Sequence, residues 1–198
     1  KELLGGKGAG LAEMTHIGVP IPEGFTITTE ACTLYYDSGK NLPESLKEEI
    51  YAGIARVEKE TGKNFGGSTK PLLVSVRSGA RVSMPGMMDT ILNLGLNDTT
   101  VAALIKETNN ERFAWDSYRR FILMFTNIAK GHPRTEMDKM LDDLKESKGY
   151  KLDTEVTAPE LKELVSKYKA YYKKTFGEDF PSDPKVQLIE AVTAVFRS

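Results

Sequence analysis

Leu72-Leu73-Val74-Ser75-Val76-Arg77-Ser78-Gly79-Ala80-Arg81-Val82-Ser83-Met84-Pro85-Gly86-Met87-Met88-Asp89-Thr90-Ile91-Leu92-Asn93-Leu94-Gly95 is the stretch on which the reading of this chain turns. Its start alternates as a half-buried strand does: Leu72, Val74 and Val76 share one face, and Leu73, Ser75 and Arg77 share the other. Arg77 therefore arrives at the strand end, where the chain turns at Ser78-Gly79. Arg81 follows four residues later. The run Met84-Pro85-Gly86-Met87-Met88 is too apolar for an ordinary solvated turn, and a second strand, Thr90 to Leu94, leaves it. An arginine at a strand end beside small residues and a Gly-centred loop suits an anion, because a bidentate fork meets closely approaching backbone N–H groups. The same spacing also fits a β-hairpin whose arginines pair only with local carboxylates.

Upstream of that strand, Gly66-Gly67-Ser68 reads as a loop. Residues 29–62 read as helical. Thr29 is placed to cap a helix running through Cys32 to Tyr36. Pro43 stands at a first-turn position, Leu46, Ile50, Ile54 and Val57 form an apolar stripe, and Gly62 closes that second helix. Residues 24–28, with Phe25-Thr26-Ile27-Thr28 at their centre, read as a strand after the rigid turn Val19-Pro20-Ile21-Pro22-Glu23-Gly24.

The N-terminal Gly5-Gly6-Lys7-Gly8-Ala9-Gly10 is a second candidate site. It reads as a Gly-rich loop opening a short helix at Leu11-Ala12-Glu13-Met14 that ends near Gly18. A lysine among glycines at a helix N-terminus suits phosphate, since free N–H groups, a positive dipole end and an ammonium converge there. The pattern is no Walker A loop, which would need Gly at position 1 and Ser or Thr at position 8, where this chain has Lys1 and Gly8. It is no Rossmann fingerprint either, since Leu11 stands where the third glycine would be. A flexible turn with a solvated lysine is the plainer alternative.

Downstream of Asn97 strand signals nearly vanish and helical periodicity takes over. Asp98 is placed to cap a helix containing Val101, Leu104 and Ile105. Ala114, Tyr118, Phe121, Ile122, Phe125, Ile128 and Ala129 form a long stripe, and Met137, Met140, Leu141 and Leu144 a third. Thr157-Ala158-Pro159-Glu160 is a capping box, followed by Leu161, Leu164, Val165, Tyr168 and Tyr172 and stopped at Gly177. Phe180-Pro181-Ser182-Asp183-Pro184 links to a last helix carrying Leu188, Ile189, Val192, Val195 and Phe196. Lys167, Lys169, Lys173 and Lys174 read as a solvated helix face. The expected fold class is α+β, with a mixed first part and a helical second part.

Composition bounds what remains. The 198 residues suffice for one sizeable core or two small ones, and the formal net charge of -1 gives no reason to expect nucleic acid or an anionic membrane as partner. No apolar run approaches a membrane span, and no signal-peptide pattern is visible in these residues. Cys32 is the only cysteine, which excludes an intrachain disulfide and points to a reducing compartment. His16 and His132 have no Cys or His partner at metal-ligand spacing, so no metal site is indicated in this chain.

Three stretches together carry a resemblance: Leu3-Leu4-Gly5-Gly6-Lys7-Gly8-Ala9-Gly10-Leu11-Ala12-Glu13-Met14, then Gly18-Val19-Pro20-Ile21-Pro22-Glu23-Gly24-Phe25, then the motif from Ser75 to Gly95. The chain resembles the pyruvate phosphate dikinases along its whole length. Phosphoenolpyruvate synthases share the Val76-Arg77-Ser78 start and diverge after it, which disfavours that related enzyme. A non-enzymatic module using 98–182 as an interaction surface is the reading from a different class. Gly10 stands where Asn is usual and Val82 where Ala is usual; neither removes a charge.

The resemblance implies an ATP-grasp nucleotide-binding domain, of which residues 1–97 and 183–198 form one subdomain and 98–182 a helical insertion. It implies that Lys7 and Arg77 contact the ATP phosphates, Arg77 as the catalytic charge stabiliser. Gly86, Met87, Met88, Asp89 and Thr90 would form a loop folding over those phosphates, and Arg81 is a weaker candidate. It further implies interconversion of ATP, phosphate and pyruvate with AMP, pyrophosphate and phosphoenolpyruvate. The Mg²⁺ carboxylates and the phosphoryl-carrying histidine of a swivelling domain would lie beyond Ser198; neither His16 nor His132 matches the carrier motif. A homodimer built through other parts of the enzyme and a cytoplasmic or plastid location complete what the resemblance implies.

Overall fold

The computed structural model describes residues 2–79 and 90–198. Among the described residues eight α-helices and two strands follow one another in the order α1 (Gly5–His16), α2 (Thr29–Asp37), α3 (Glu44–Thr61), β1 (Val74–Val76), β2 (Ile91–Leu94), α4 (Asp98–Thr108), α5 (Glu111–Met124), α6 (Thr135–Lys148), α7 (Ala158–Phe176) and α8 (Pro184–Arg197). A π-turn, Phe125–Ala129, extends α5. The described fold is α+β: mostly helical, with one small sheet.

β1 and β2 pair antiparallel, Val74 with Leu94 and Val76 with Ile91. β2 thus spends one more residue than β1 between the paired positions, and Asn93 takes up the excess with φ 63°. Two apolar clusters flank this ribbon. Ile91, Leu94 and Leu96 join the helices after Asn97, through Tyr118, Phe121, Phe125, Tyr168 and Tyr172. Tyr35, Ile50, Ile54, Leu188, Val192 and Phe196 bring α2, α3 and α8 together in the other. Val74 and Val76 pack against both clusters. The alternation read in the sequence holds from Val74 to Arg77, with Val74 and Val76 half-buried and Ser75 and Arg77 exposed. Leu73, expected on the outer face, instead packs against the first cluster.

The apolar stripes are buried as expected: Leu46, Ile50, Ile54 and Val57 on α3, and Leu161, Leu164, Val165, Tyr168 and Tyr172 on α7. Gly62 and Gly177 end those helices in the left-handed conformation. At the start of α7 the Glu160 carboxylate accepts from the Thr157 N–H at 2.9 Å and from its hydroxyl at 2.8 Å.

Four expectations are corrected. Residues 24–28 form no strand; their backbone is used elsewhere, with Arg56 donating to the Gly24 carbonyl at 3.3 Å. The glycines from Gly5 to Gly10 are not a loop before the helix but its first half. Thr29 does not cap α2; its hydroxyl donates to the Glu2 carbonyl instead. Asn97, not Asp98, caps α4, its side-chain oxygen accepting from the N–H groups of Thr99 and Thr100 at 2.9 and 2.8 Å.

The two places where the chain passes between the clusters are strapped by Gln187 of α8, which is fully buried. Its Oε1 accepts from Gly95 N–H at 2.9 Å, and its Nε2 donates to the carbonyls of Leu96 at 2.9 Å and Pro181 at 2.7 Å. Asn97 Nδ2 adds a bond to the Ser182 carbonyl at 2.8 Å.

Candidate functional site

β1 ends at Val76, and the chain leaves it through exposed Arg77, buried Ser78 and Gly79. The start of α1 meets that exit. Gly5 has φ 66°, and a Cβ placed on it would sit 1.4 Å from the Gly79 carbonyl oxygen, so no side chain fits there. A Cβ on Gly79 would be 3.8 Å from Lys7 Cβ and 4.0 Å from the Gly8 nitrogen. Lys7 is therefore brought against the turn that follows Arg77, although 70 positions separate the two in the chain. One turn on, Gly8 is buried where a Cβ would be 3.0 Å from Thr26 Cγ2. These glycines cost helix propensity, and they let the α1 backbone lie directly on its neighbours.

The electrostatics of this corner are cationic. The first four N–H groups of an α-helix have no intrahelical partner, and α1 has no acidic residue in its first turn to satisfy them. Lys7 and Arg77 are both exposed. Among the described residues neither forms an ion pair with a carboxylate. Lys7, the N-terminus of α1 and the chain leaving Arg77 thus meet at one turn, and a lysine, an arginine and free helix N–H groups are the groups that bind polyanions such as triphosphates.

Thr90, at the foot of β2, is half-buried. Gly86, Met87, Met88, Asp89 and Arg81 lie outside the described residues. Among the described residues no group of three or more His, Cys, Asp or Glu side chains gathers as a metal cage, so none of them is assigned to Mg²⁺. His16 ends α1, and His132 Nε2 is 2.9 Å from the Tyr171 hydroxyl. No described helix is long and apolar enough to cross a membrane.

A cavity of about 400 Å³ opens elsewhere, lined by Asn97, Asp98, Thr99, Tyr118, Lys169 and Phe180 among others. Its charges answer one another: Lys169 Nζ lies 2.5 Å from Asp98 Oδ1, and the Tyr118 hydroxyl 3.4 Å from the same oxygen. Burial, and then Asp98, push the Tyr118 phenol far above its ordinary range. This cavity offers no unpaired cation to a phosphate.

Sequence reasoning placed Thr26 in a strand and Thr29 at a helix cap; it gave neither the role the structure shows, which is to receive and tie down the start of α1. Their partners are 18 and 27 positions away, beyond the reach of any local pattern.

The family model described as "Pyruvate phosphate dikinase, AMP/ATP-binding domain" matches residues 1–50 and 38–198. The chain is 57% identical over its whole length to a pyruvate, phosphate dikinase of Clostridium symbiosum, covering 23% of that protein. It is 56% identical to the one of Entamoeba histolytica and 57% to a chloroplastic one of Zea mays, again over its whole length, covering 22% and 21% of them. The chain thus spans less than a quarter of the length of these curated relatives.

Proposed function

Since the chain belongs to the family of pyruvate phosphate dikinase AMP/ATP-binding domains, we propose that it is the phosphate-gripping part of an ATP-grasp domain. The whole enzyme interconverts ATP, phosphate and pyruvate with AMP, pyrophosphate and phosphoenolpyruvate, through a phosphohistidine on a swivelling domain. The observation that carries this reading is the approach of the α1 N-terminus to Gly79, two residues from Arg77: Gly5 lies against the Gly79 carbonyl, and Lys7 Cβ is 3.8 Å from where a Cβ on Gly79 would stand.

Phosphoryl transfer asks a protein mainly for positioning and charge stabilisation. Lys7 and the free α1 amides hold the phosphates. Arg77, always charged and planar, faces the transferring group, where charge is redistributed as the bond breaks. By the same reading Gly86, Met87, Met88, Asp89 and Thr90 contact the phosphates. Mg²⁺, when bound, neutralises phosphate charge; its carboxylates belong to the second half of the grasp, outside this chain. Residues 1–97 with 183–198 are one subdomain and 98–182 a helical insertion, a division supported by the Asn97 cap and by Gln187, which straps both crossings. The full-length enzyme dimerises through parts beyond this chain.

Titration of the isotope-labelled chain with Mg·ATP, followed through its amide resonances, tests the reading. Shifts at residues 5–8 and 77–79 that vanish in Lys7→Gln are expected. Shifts confined to 98–182, as an interaction module would give, or none at millimolar ATP, would overturn it.

A further inference from the structure

α2 begins without a side-chain cap of its own. Its first N–H, that of Thr29, donates to the Leu3 carbonyl at 2.9 Å. The Thr29 hydroxyl donates to the neighbouring Glu2 carbonyl at 2.8 Å. The segment leading into α1 therefore completes the N-terminus of α2, and Thr29 grips it at two successive carbonyls.

α2 is itself held firmly. Tyr35 is fully buried, its hydroxyl accepts from Arg197 Nε at 2.9 Å, and the Tyr36 hydroxyl donates to the Phe196 carbonyl at 2.8 Å. α1 has little else to fix it: Gly5 and Gly8 are its only buried residues, and every residue from Leu11 to His16 is exposed. Contact with Gly79 fixes one side of its first turn, and contact with Thr26 another. The two hydrogen bonds at Thr29 add a hold on residues 2 and 3, just ahead of the helix.

We infer that Thr29 is a positioning residue for Lys7: by pinning residues 2 and 3 to the buried α2–α8 body, it sets the first turn of α1 against Gly79 and so the place of the Lys7 ammonium beside Arg77. The inference rests on the reading of Lys7 as a phosphate-binding group. Thr29 touches no substrate. It ties down the turn that carries Lys7, so that less ordering remains to be done when the anion arrives.

Thr29→Val removes the hydroxyl and keeps the shape and the N–H; Thr29→Ser keeps the hydroxyl. Two readouts on the 198-residue chain separate the possibilities: hydrogen exchange at the amides of residues 5–10, and protection of Lys7 from acetic anhydride by ATP, read by mass spectrometry. Thr29→Val is expected to speed exchange at residues 5–10 and to raise the ATP needed for half-protection roughly fivefold, the worth of one hydrogen bond. Thr29→Ser should restore both. Unchanged exchange in Thr29→Val would overturn the inference whatever ATP does. Faster exchange with undiminished protection would overturn it too, leaving Thr29 a merely structural residue. If ATP fails to protect Lys7 even in the unsubstituted chain, the functional reading falls, and the inference with it.

Discussion

Lys7 and Arg77 reach the same turn on different supports. Arg77 continues a paired strand whose Val74 and Val76 pack against both apolar clusters. Lys7 stands in the first turn of a helix held by glycine contacts and by Thr29. A cation on the stiffer support suits charge that changes during transfer, and one on the looser support suits binding. In the full-length enzyme Lys7→Gln should weaken ATP binding by roughly tenfold or more, the scale of a lost charge-assisted hydrogen bond. The rate at saturating ATP should change much less. A steady-state titration of ATP separates the two, and a loss confined to the saturated rate would contradict the assignment.

Among elements, long-period patterns were legible and single caps were not. The α3 and α7 stripes repeat over several turns, so one residue out of place does not hide the period. Asn97 and Asp98 are neighbouring residues with equally good capping chemistry, and only the extended backbone of Asn97, φ -153°, decides between them. Residues 24–28 have strand-like composition but no strand beside them, and β-propensity expresses itself only with a partner. The glycines of α1 argue against helix locally, and the close approach of Gly5 to Gly79 and Gly8 to Thr26 overrides that. The Lys7 corner was thus legible as chemistry, from a lysine among glycines, while its geometry depended on contacts between distant parts of the chain.

The Gln187 strap was invisible in the sequence because glutamine on a helix is ordinarily exposed. Gln187→Leu leaves a buried N–H and two carbonyls without their partner, and should cost about 3 kcal/mol of unfolding free energy, measured by urea denaturation. A cost below about 1 kcal/mol would mean that water or the backbone replaces the strap readily.

At the end of α7, Tyr172 packs beside Lys130. Burial pushes the Tyr172 phenol up to about 12. Partial burial disfavours the charged Lys130 ammonium, but Glu178 and Glu190, at 2.9 and 3.3 Å, outweigh it and raise Lys130 above its ordinary value. Both groups hold their protons more tightly folded than unfolded. The stability they contribute is complete below about pH 10, the unfolded range, and is lost as pH rises towards their folded values. Urea midpoints should therefore hold between pH 8 and 9.5 and fall as pH approaches about 11. A midpoint that rises over that interval would contradict the sign.

For the whole molecule, the chain covers 23% or less of the dikinases it matches. The chain by itself should form no phosphoenolpyruvate from ATP, phosphate and pyruvate, and measurable turnover by the pure chain would overturn the division of labour. The most direct test of the central claim lies in Arg77→Leu of the full-length enzyme, with both half-reactions followed in single turnovers. Phosphorylation of the carrier histidine by ATP should slow on the order of a hundredfold or more, with ATP binding far less affected, the scale of removing one preorganised charge stabiliser. Exchange between phosphoenolpyruvate and that histidine should be nearly unchanged. Equal damage to both half-reactions would contradict the account and leave Arg77 a structural residue of the hairpin.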